Sequence, residues 1–300
     1  MDRNQLIAFD RIVRDGSFSR AALALDISQA AISGRIRALE TQVGAPLFIR
    51  GGRRVLLTGA GETFLPYARR ALAILDEGIE SARQEHTGQY GRVTLGAIDS
   101  VVDGLLVPVV ARYRESHPQT ILSVRTGHTP QIIQELSDGM VKLGQVTWGY
   151  LRGTVEYDVL ARLREPLVAV AAPKHPLASR SSLTIDDLVR EGNPYQETAW
   201  GTQQDARIVG SAQRTWAGHE LPHGLIRKLL LRNIGAGFLP VSVVADDLQS
   251  GALVQLALSD TEGLAREVAL ICHDSAAALP PAAQDFVQAV RDEARRMGFM

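Results

Sequence analysis

Leu6, Phe9, Ile12 and Val13 recur at spacings of three and four through NQLIAFDRIVRDG, so the pattern predicts an amphipathic helix with one apolar face. Asp15-Gly16 is expected to end it. Ser19 is placed to cap a second, short helix, RAALALD, and Asp26-Ile27 to make a tight corner. Ser28 then caps a third helix, QAAISGRIRALETQVG, with Ala31, Ile32, Ile36, Leu39 and Val43 on its inner face. Two short helices joined by a brief turn make a helix-turn-helix. The outward positions Gln29, Ser33, Arg35 and Arg37 are small or hydrogen-bonding residues that a DNA major groove can accept. In PLFIRGGRRVLLT, apolar stretches flank Gly51-Gly52, which signals a hairpin. Arg50, Arg53 and Arg54 surround that turn, so a two-stranded wing could reach phosphates or a minor groove.

A long helix follows. Thr58 is a suitable N-cap and Glu62 lies in the first turn, favourable to the helix dipole. Phe64, Ala68, Ala71, Leu75, Ile79 and Ala82 repeat at helical spacing as far as about Glu85, interrupted only by Pro66. Such a helix would be roughly 40 Å long at about 1.5 Å per residue. A small DNA domain cannot cover so long a stripe, so pairing with a second copy is expected. The stretch HTGQYG then reads as a hinge.

From residue 92 the period alternates between strand and helix. RVTLGAI, TILSVRTG and VKLGQVTW read as strands. The helix between the first two is expected to be capped by Ser100 with Asp103 three residues on, and the next by Thr129 with Pro130 at its first position. Alternation of this kind implies a parallel sheet. Ser100 and Thr129, with His128 beside them, would then sit at the carboxyl ends of adjacent strands, where ligands bind and free N–H groups favour an anion. A second lobe is read as the strand REPLVAVAAP, a short helix IDDLVR capped by Thr184, a leucine-rich helix starting at Pro222, the strand in NIGAGFLP, the helix VSVVADDLQSG and the strand LVQLAL. EVALICHD and the helix PPAAQDFVQAVRDEARRM close the chain.

Composition changes this picture little. The chain has 300 residues and a formal net charge of −1, so attraction to nucleic acid must be local, as at the wing. A single cysteine excludes an intrachain disulfide framework. Cys272, in EVALICHD, reads as a small core residue with no second thiol to resolve an oxidised one. The N-terminus lacks the apolar core of a signal peptide and no stretch reaches the length of a membrane span, so a cytoplasmic location without membrane contact is expected. HELPH, residues 219–223, satisfies the zinc-protease pattern H-E-x-x-H. Pro222 inside it breaks the single helical turn that both imidazoles need, and no clear third ligand follows. A zinc hydrolase is the rival reading, set aside on those grounds. No catalytic residue, metal or cofactor is expected.

The stretches QLIAF, DGSFSRAALALDISQAAISGRIRALE, VGAPLF, RGGRRVLLTGAGE and YARR closely resemble the winged helix-turn-helix of LysR-type transcriptional regulators. AAPKHPLA, GAGFLP and DDLQSGALV resemble landmarks of that family's effector domain. The resemblance implies an α/β chain with an all-α-type winged helix-turn-helix at residues 1–57, a dimerising linker helix at 58–88, and a two-lobed, periplasmic-binding-protein-like α/β effector domain at 92–300. Lobe I would hold 92–161 and 268–300, and lobe II 162–267. The expected DNA contacts are Ser28, Gln29, Ala30, Ser33, Arg35, Arg37, Arg50, Arg53 and Arg54. By the same resemblance Ser100, His128, Thr129 and Thr147 line the effector cleft from lobe I, and Gln196, His219 and His223 from lobe II. The partners implied are double-stranded promoter DNA, a small-molecule effector of anionic character, and further copies of the chain as a homodimer or homotetramer. The chain departs from the family pattern at Ala30, usually proline, at Gly34, often arginine, at Gly144, frequently aspartate, and between Asn193 and Trp216, where a helix looks shortened.

Overall fold

The computed structural model describes residues 1–49, 55–87, 91–151, 157–192, 221–261, 263–273 and 275–300. It divides into two compact units, residues 1–89 with 134–141, and residues 90–133 with 142–300.

The first unit begins with α1 (Arg3–Asp15), closed at its start by a reciprocal capping box between Asp2 and Gln5 and at its end by Gly16 in the left-handed region, φ 60°. The second helix, α2 (Phe18–Ala24), is capped by Ser17, whose side chain accepts from the Arg20 N–H, so Ser19 lies inside the helix rather than at its cap. Asp26 takes φ 52°, which makes the corner before α3. Ser28 caps α3 (Gln29–Val43), its side chain accepting from the Ala31 N–H. The inner face is Ile32, Ile36 and Leu39; Ala31, expected there, is exposed. These side chains share one core with Leu6, Phe9, Ile12, Ala21 and Phe48. Phe9 sits at the centre, its ring centroid 5.4 Å from that of Phe48 and 5.6 Å from that of Phe64.

The wing's strands, β1 (Phe48–Ile49) and β2 (Leu56–Leu57), pair antiparallel with Phe48 opposite Leu57. Glu40 on α3 holds β1 by accepting from the Leu47 N–H at 2.9 Å. The long helix α4 (Gly59–Thr87) carries Pro66 within it. It crosses so close to the wing that a Cβ on Gly61 would lie 2.2 Å from the Leu47 carbonyl oxygen, which explains the glycine. Its apolar stripe divides. Phe64, Ala68, Ala71 and Leu72 pack on the core of this unit, while Ile74, Leu75 and Ile79 stay exposed. Arg69 of α4 donates to Asp10 of α1 at 2.7 Å and also to Asp138.

In the second unit, β3 (Arg92–Ala97), β4 (Ile121–Thr126) and β5 (Leu143–Thr147) form the parallel part of a seven-stranded sheet whose main path runs β4-β3-β5-β9-β6-β7. β6 (Asp158–Ala171) starts earlier than its sequence signal suggested, at Asp158 rather than Arg164, because its first half pairs antiparallel with β9 (Ala265–Cys272). Its second half pairs with β7 (Ala236–Pro240) and the short β8 (Val254–Gln255). One strand therefore serves both lobes. The lobe I core joins Leu95, Leu143, Leu163 and Leu270 to α6 (Val107–Ser116) and to the last helix, α11 (Pro281–Arg296). Cys272 is buried in it, as its strand position predicted. Lobe II buries Ala169, Phe238 and Leu188 in one cluster, which includes α8 (Ile185–Glu191) under its Thr184–Asp187 capping box. It buries Val170, Ile226 and Val244 in another, formed with α9 (His223–Leu230) and α10 (Val241–Ser250).

The helix expected after β3 is not continuous. A three-residue α5 (Asp99–Val101) passes through a π-helical turn, Val102–Leu106, into α6. The residue before α5 is Ile98 and no side chain caps it, so Ser100 lies one residue inside. Its hydroxyl is engaged elsewhere, and Asp103 turns out of the backbone to meet a distant histidine. Among the described residues no helix is long and apolar enough to cross a membrane.

Candidate functional site: a polar cleft and an exposed recognition helix

On α3, Ser28, Gln29 and Ala30 are exposed at the N-terminal turn, Ser33 and Arg35 are half-buried, and Arg37 is exposed one turn further on. Gly34 lies between them with open space around it: an added Cβ would meet no atom within 4 Å. Packing in the free protein therefore does not require this glycine, although it weakens the helix by about 1 kcal/mol relative to alanine. The wing arginines Arg50, Arg53 and Arg54 lie outside the described residues.

The second unit contains a cleft of about 410 Å3. Five residues singled out from the sequence line it: Ser100, His128, Thr129, Thr147 and His223. Gln196 and His219 lie outside the described residues. Local chemistry explains how the lining is held. Thr129 opens α7 (Thr129–Ser137), but its hydroxyl does not act as the expected cap. It donates to the Thr147 hydroxyl at 3.3 Å and accepts from the Thr147 N–H at 3.1 Å, tying the helix start to the end of β5. The His128 carbonyl accepts instead from the Ile132 N–H. His223 is the first residue of α9, directly after Pro222, and is 3% exposed. Its Nε2 meets the Asp103 carboxylate at 2.8 Å, joining α9 to the π-turn. A helix that starts at His223 cannot carry the zinc motif as one helical turn, and among the described residues no three metal-binding side chains are grouped.

Three residues at the base of the cleft, Arg266, Glu165 and Ser242, were not anticipated. Arg266 lines it at 4% exposure, its Nε donating to Glu165 at 2.7 Å. It also donates to the Ser100 hydroxyl and to the Ser100 carbonyl. Glu165 accepts in addition from the N–H of Ser242, at 3.0 Å, and from its hydroxyl. A buried charge survives only when paired and hydrogen-bonded, and here the network Ser242–Glu165–Arg266–Ser100 meets that requirement across both lobes. The lobes approach so closely beside it that a Cβ on Gly104 would fall 1.9 Å from the Ser242 Oγ. The signal for Arg266 was present in AREVALIC: it shares the inward parity of Val268, Leu270 and Cys272, so a charge there had to find a buried partner. At the rim, Asp99 lines the cleft, and Glu267 does so while paired with Arg162 at 2.8 Å. Arg162 in turn lies over the Trp148 ring, 4.5 Å from its centroid.

Comparison with known proteins gives a consistent result. Residues 3–62 match the model of the bacterial regulatory helix-turn-helix protein, lysR family, and residues 86–295 match that of the LysR substrate binding domain. The chain is 29% identical over 304 residues to the RuBisCO operon transcriptional regulator of Allochromatium vinosum, covering 98% of this chain and 96% of that one. It is 32% identical over 207 residues to the HTH-type transcriptional regulator YnfL of Escherichia coli, covering 69% of each. Among solved structures, full-length CbnR complexed with its target DNA superposes with a TM-score of 0.68 at 18% identity, covering 98% of this chain and 100% of that one.

Proposed function

Because the chain belongs to the LysR family of DNA-binding transcriptional regulators, we propose that it binds promoter DNA through α3 and the wing and that a small-molecule effector in the lobe cleft modulates that binding. The observation that carries the effector half is the convergence of Ser100, Thr129, Thr147 and His223, from separate segments, on one cleft of small-molecule size. Gln29, Ala30 and Ser33 face base edges, Ser28 fixes the start of the helix, and Arg35 or Arg37 touches phosphate. Arg50, Arg53 and Arg54 anchor the wing. Residues 1–57 act as the reader, 58–88 as the linker and 92–300 as the sensor. Two copies pair through the exposed half of the α4 stripe, Ile74, Leu75 and Ile79, which presents two recognition helices to half-sites about one DNA turn apart. The effector binds one arrangement of the chains more tightly than another and shifts the population between them, which requires no catalysis and no cofactor. A cytoplasmic location suits such a protein.

Fluorescence anisotropy on the DNA upstream of its own gene, with scrambled DNA as competitor and a salt titration, tests the DNA half. Specific, salt-sensitive binding is expected. Arg53→Ala and Arg37→Ala should each weaken binding to all sequences and lower the salt slope by about one. Binding no tighter than to the scrambled competitor, with an unchanged slope in both variants, would remove α3 and the wing as the contact surface.

A further inference from the structure

We infer that the effector is dipolar, carrying one carboxylate and one ammonium-type cation, and is not a dicarboxylate. The inference rests on the cleft being the effector site, and follows from how the charges lining it are spent. Arg266 is the lone guanidinium or ammonium among the described lining residues, and Glu165 already holds it through Nε at 2.7 Å and Nη2 at 2.6 Å. Its positive charge is cancelled inside the protein, but its hydrogen-bonding capacity is not. Of its five N–H groups, one, on Nη1, remains after Glu165 and Ser100 are served. The Ser100 hydroxyl accepts from Arg266 and so keeps its own proton to donate. The Thr147 hydroxyl accepts from Thr129 and is in the same position. Ser100, Thr147 and Arg266 are all buried in the lining of the cleft, where the positive charge is already balanced by Glu165, and their remaining donors suit the oxygens of a single carboxylate.

The rim has the opposite character. Asp99 lines it, and no hydrogen bond or ion pair engages its carboxylate among the described residues. The other rim carboxylate, Glu267, is balanced by Arg162. A second negative charge on the effector would therefore meet the Asp99 carboxylate with no unpaired guanidinium or ammonium among the described lining residues to offset it, while an ammonium group would gain a charge-assisted hydrogen bond. The anionic effector expected from helix N-termini alone is thus refined by Glu165, which consumes the cation that a dianion would need.

A five-carbon series isolates charge at nearly constant size: pentanoate, glutarate, pentylamine, L-norvaline and 5-aminovalerate. Binding of each to the full-length protein is measured by saturation-transfer NMR and by thermal shift at millimolar concentration, in the wild type, Ser100→Ala and Asp99→Asn. At least one dipolar probe should bind about tenfold tighter than glutarate, pentanoate and pentylamine. Asp99→Asn should remove that advantage while leaving pentanoate unchanged, and Ser100→Ala should weaken every carboxylate-bearing probe. Glutarate or pentanoate binding as tightly as both dipolar probes in a Ser100-dependent way overturns the dipolar inference and leaves the cleft as the effector site. The same holds if Asp99→Asn leaves the ranking intact. If no probe shows binding sensitive to Ser100→Ala, the cleft reading and this inference fall together.

Discussion

The recognition helix and the cleft are built on different principles. Every residue proposed to read DNA on α3 lies within about three turns of one helix, Ser28 to Arg37, and its orientation follows from the helical period once Ile32, Ile36 and Leu39 are buried. The cleft draws on the starts of α5, α7 and α9 and on β5 and β9, so no one segment contains its chemistry. The first site is an outward face whose core lies beneath it. The second is a polar base inside the fold, where buried charges hold one another. The difference teaches that loss of a side chain should disturb the two in different ways: through packing in the reader, through an orphaned charge in the sensor.

The largest effect is expected at the cleft base. Arg266→Met leaves Glu165 buried without its cation and should cost about 3–5 kcal/mol, read from urea unfolding of the full-length protein. Adding Glu165→Leu should recover most of that loss. A single variant as stable as the wild type would contradict the role of the pair. In the reader, Leu39→Ala opens a cavity in the core under α3 and should cost about 2–4 kcal/mol and reduce DNA binding together with helicity. A loss of DNA affinity with unchanged stability would instead place Leu39 at the contact surface.

Gly34→Ala separates packing from recognition on α3. With nothing within 4 Å of the added Cβ, it should stabilise the free protein by about 0.5–1 kcal/mol. If DNA affinity falls at the same time, the glycine is there for close approach of the DNA. If affinity is unchanged, it is a tolerated weakness in the helix.

The smallest effect concerns pH. Burial holds the His175 imidazole below its ordinary pKa, and its neutral Nδ1 accepts from the Leu177 N–H at 3.2 Å. The unfolded chain takes up the proton more readily. This contribution to stability is therefore fully present above the ordinary histidine range and is lost as pH falls through it. His175→Asn keeps an acceptor for Leu177 but does not titrate, so its urea midpoint should fall less than that of the wild type between neutral and mildly acidic pH. Parallel curves would assign the acid sensitivity to other groups.

How far the chain could be read varies along it. Ser28, Thr58 and Thr184 were legible as caps because each precedes an amphipathic run and serves the N–H three residues on. Ser100 and Thr129 carried the same local signal but bond to Arg266 and Thr147, remote in sequence, because at the carboxyl ends of strands tertiary donors and acceptors compete with the helix for the hydroxyl. Asp103 likewise read as part of a capping box and instead meets His223 across 120 positions of chain. Arg266 and Glu165 interrupt apolar strands, which signals a buried pair, but the pattern does not say which partner each would choose.

The periodicity and caps of the chain were enough to define the helix-turn-helix, the long helix and the alternation of strands and helices, since these depend on contacts within a few residues. The family resemblance brought Ser100, Thr129, Thr147 and His223 into one cleft. That the charge at its base is balanced was settled only when the antiparallel pairing of β6 with β9 placed Glu165 opposite Arg266. Coulomb interaction in a buried site depends on separation in space over a few ångströms, and no local pattern along the chain records that distance.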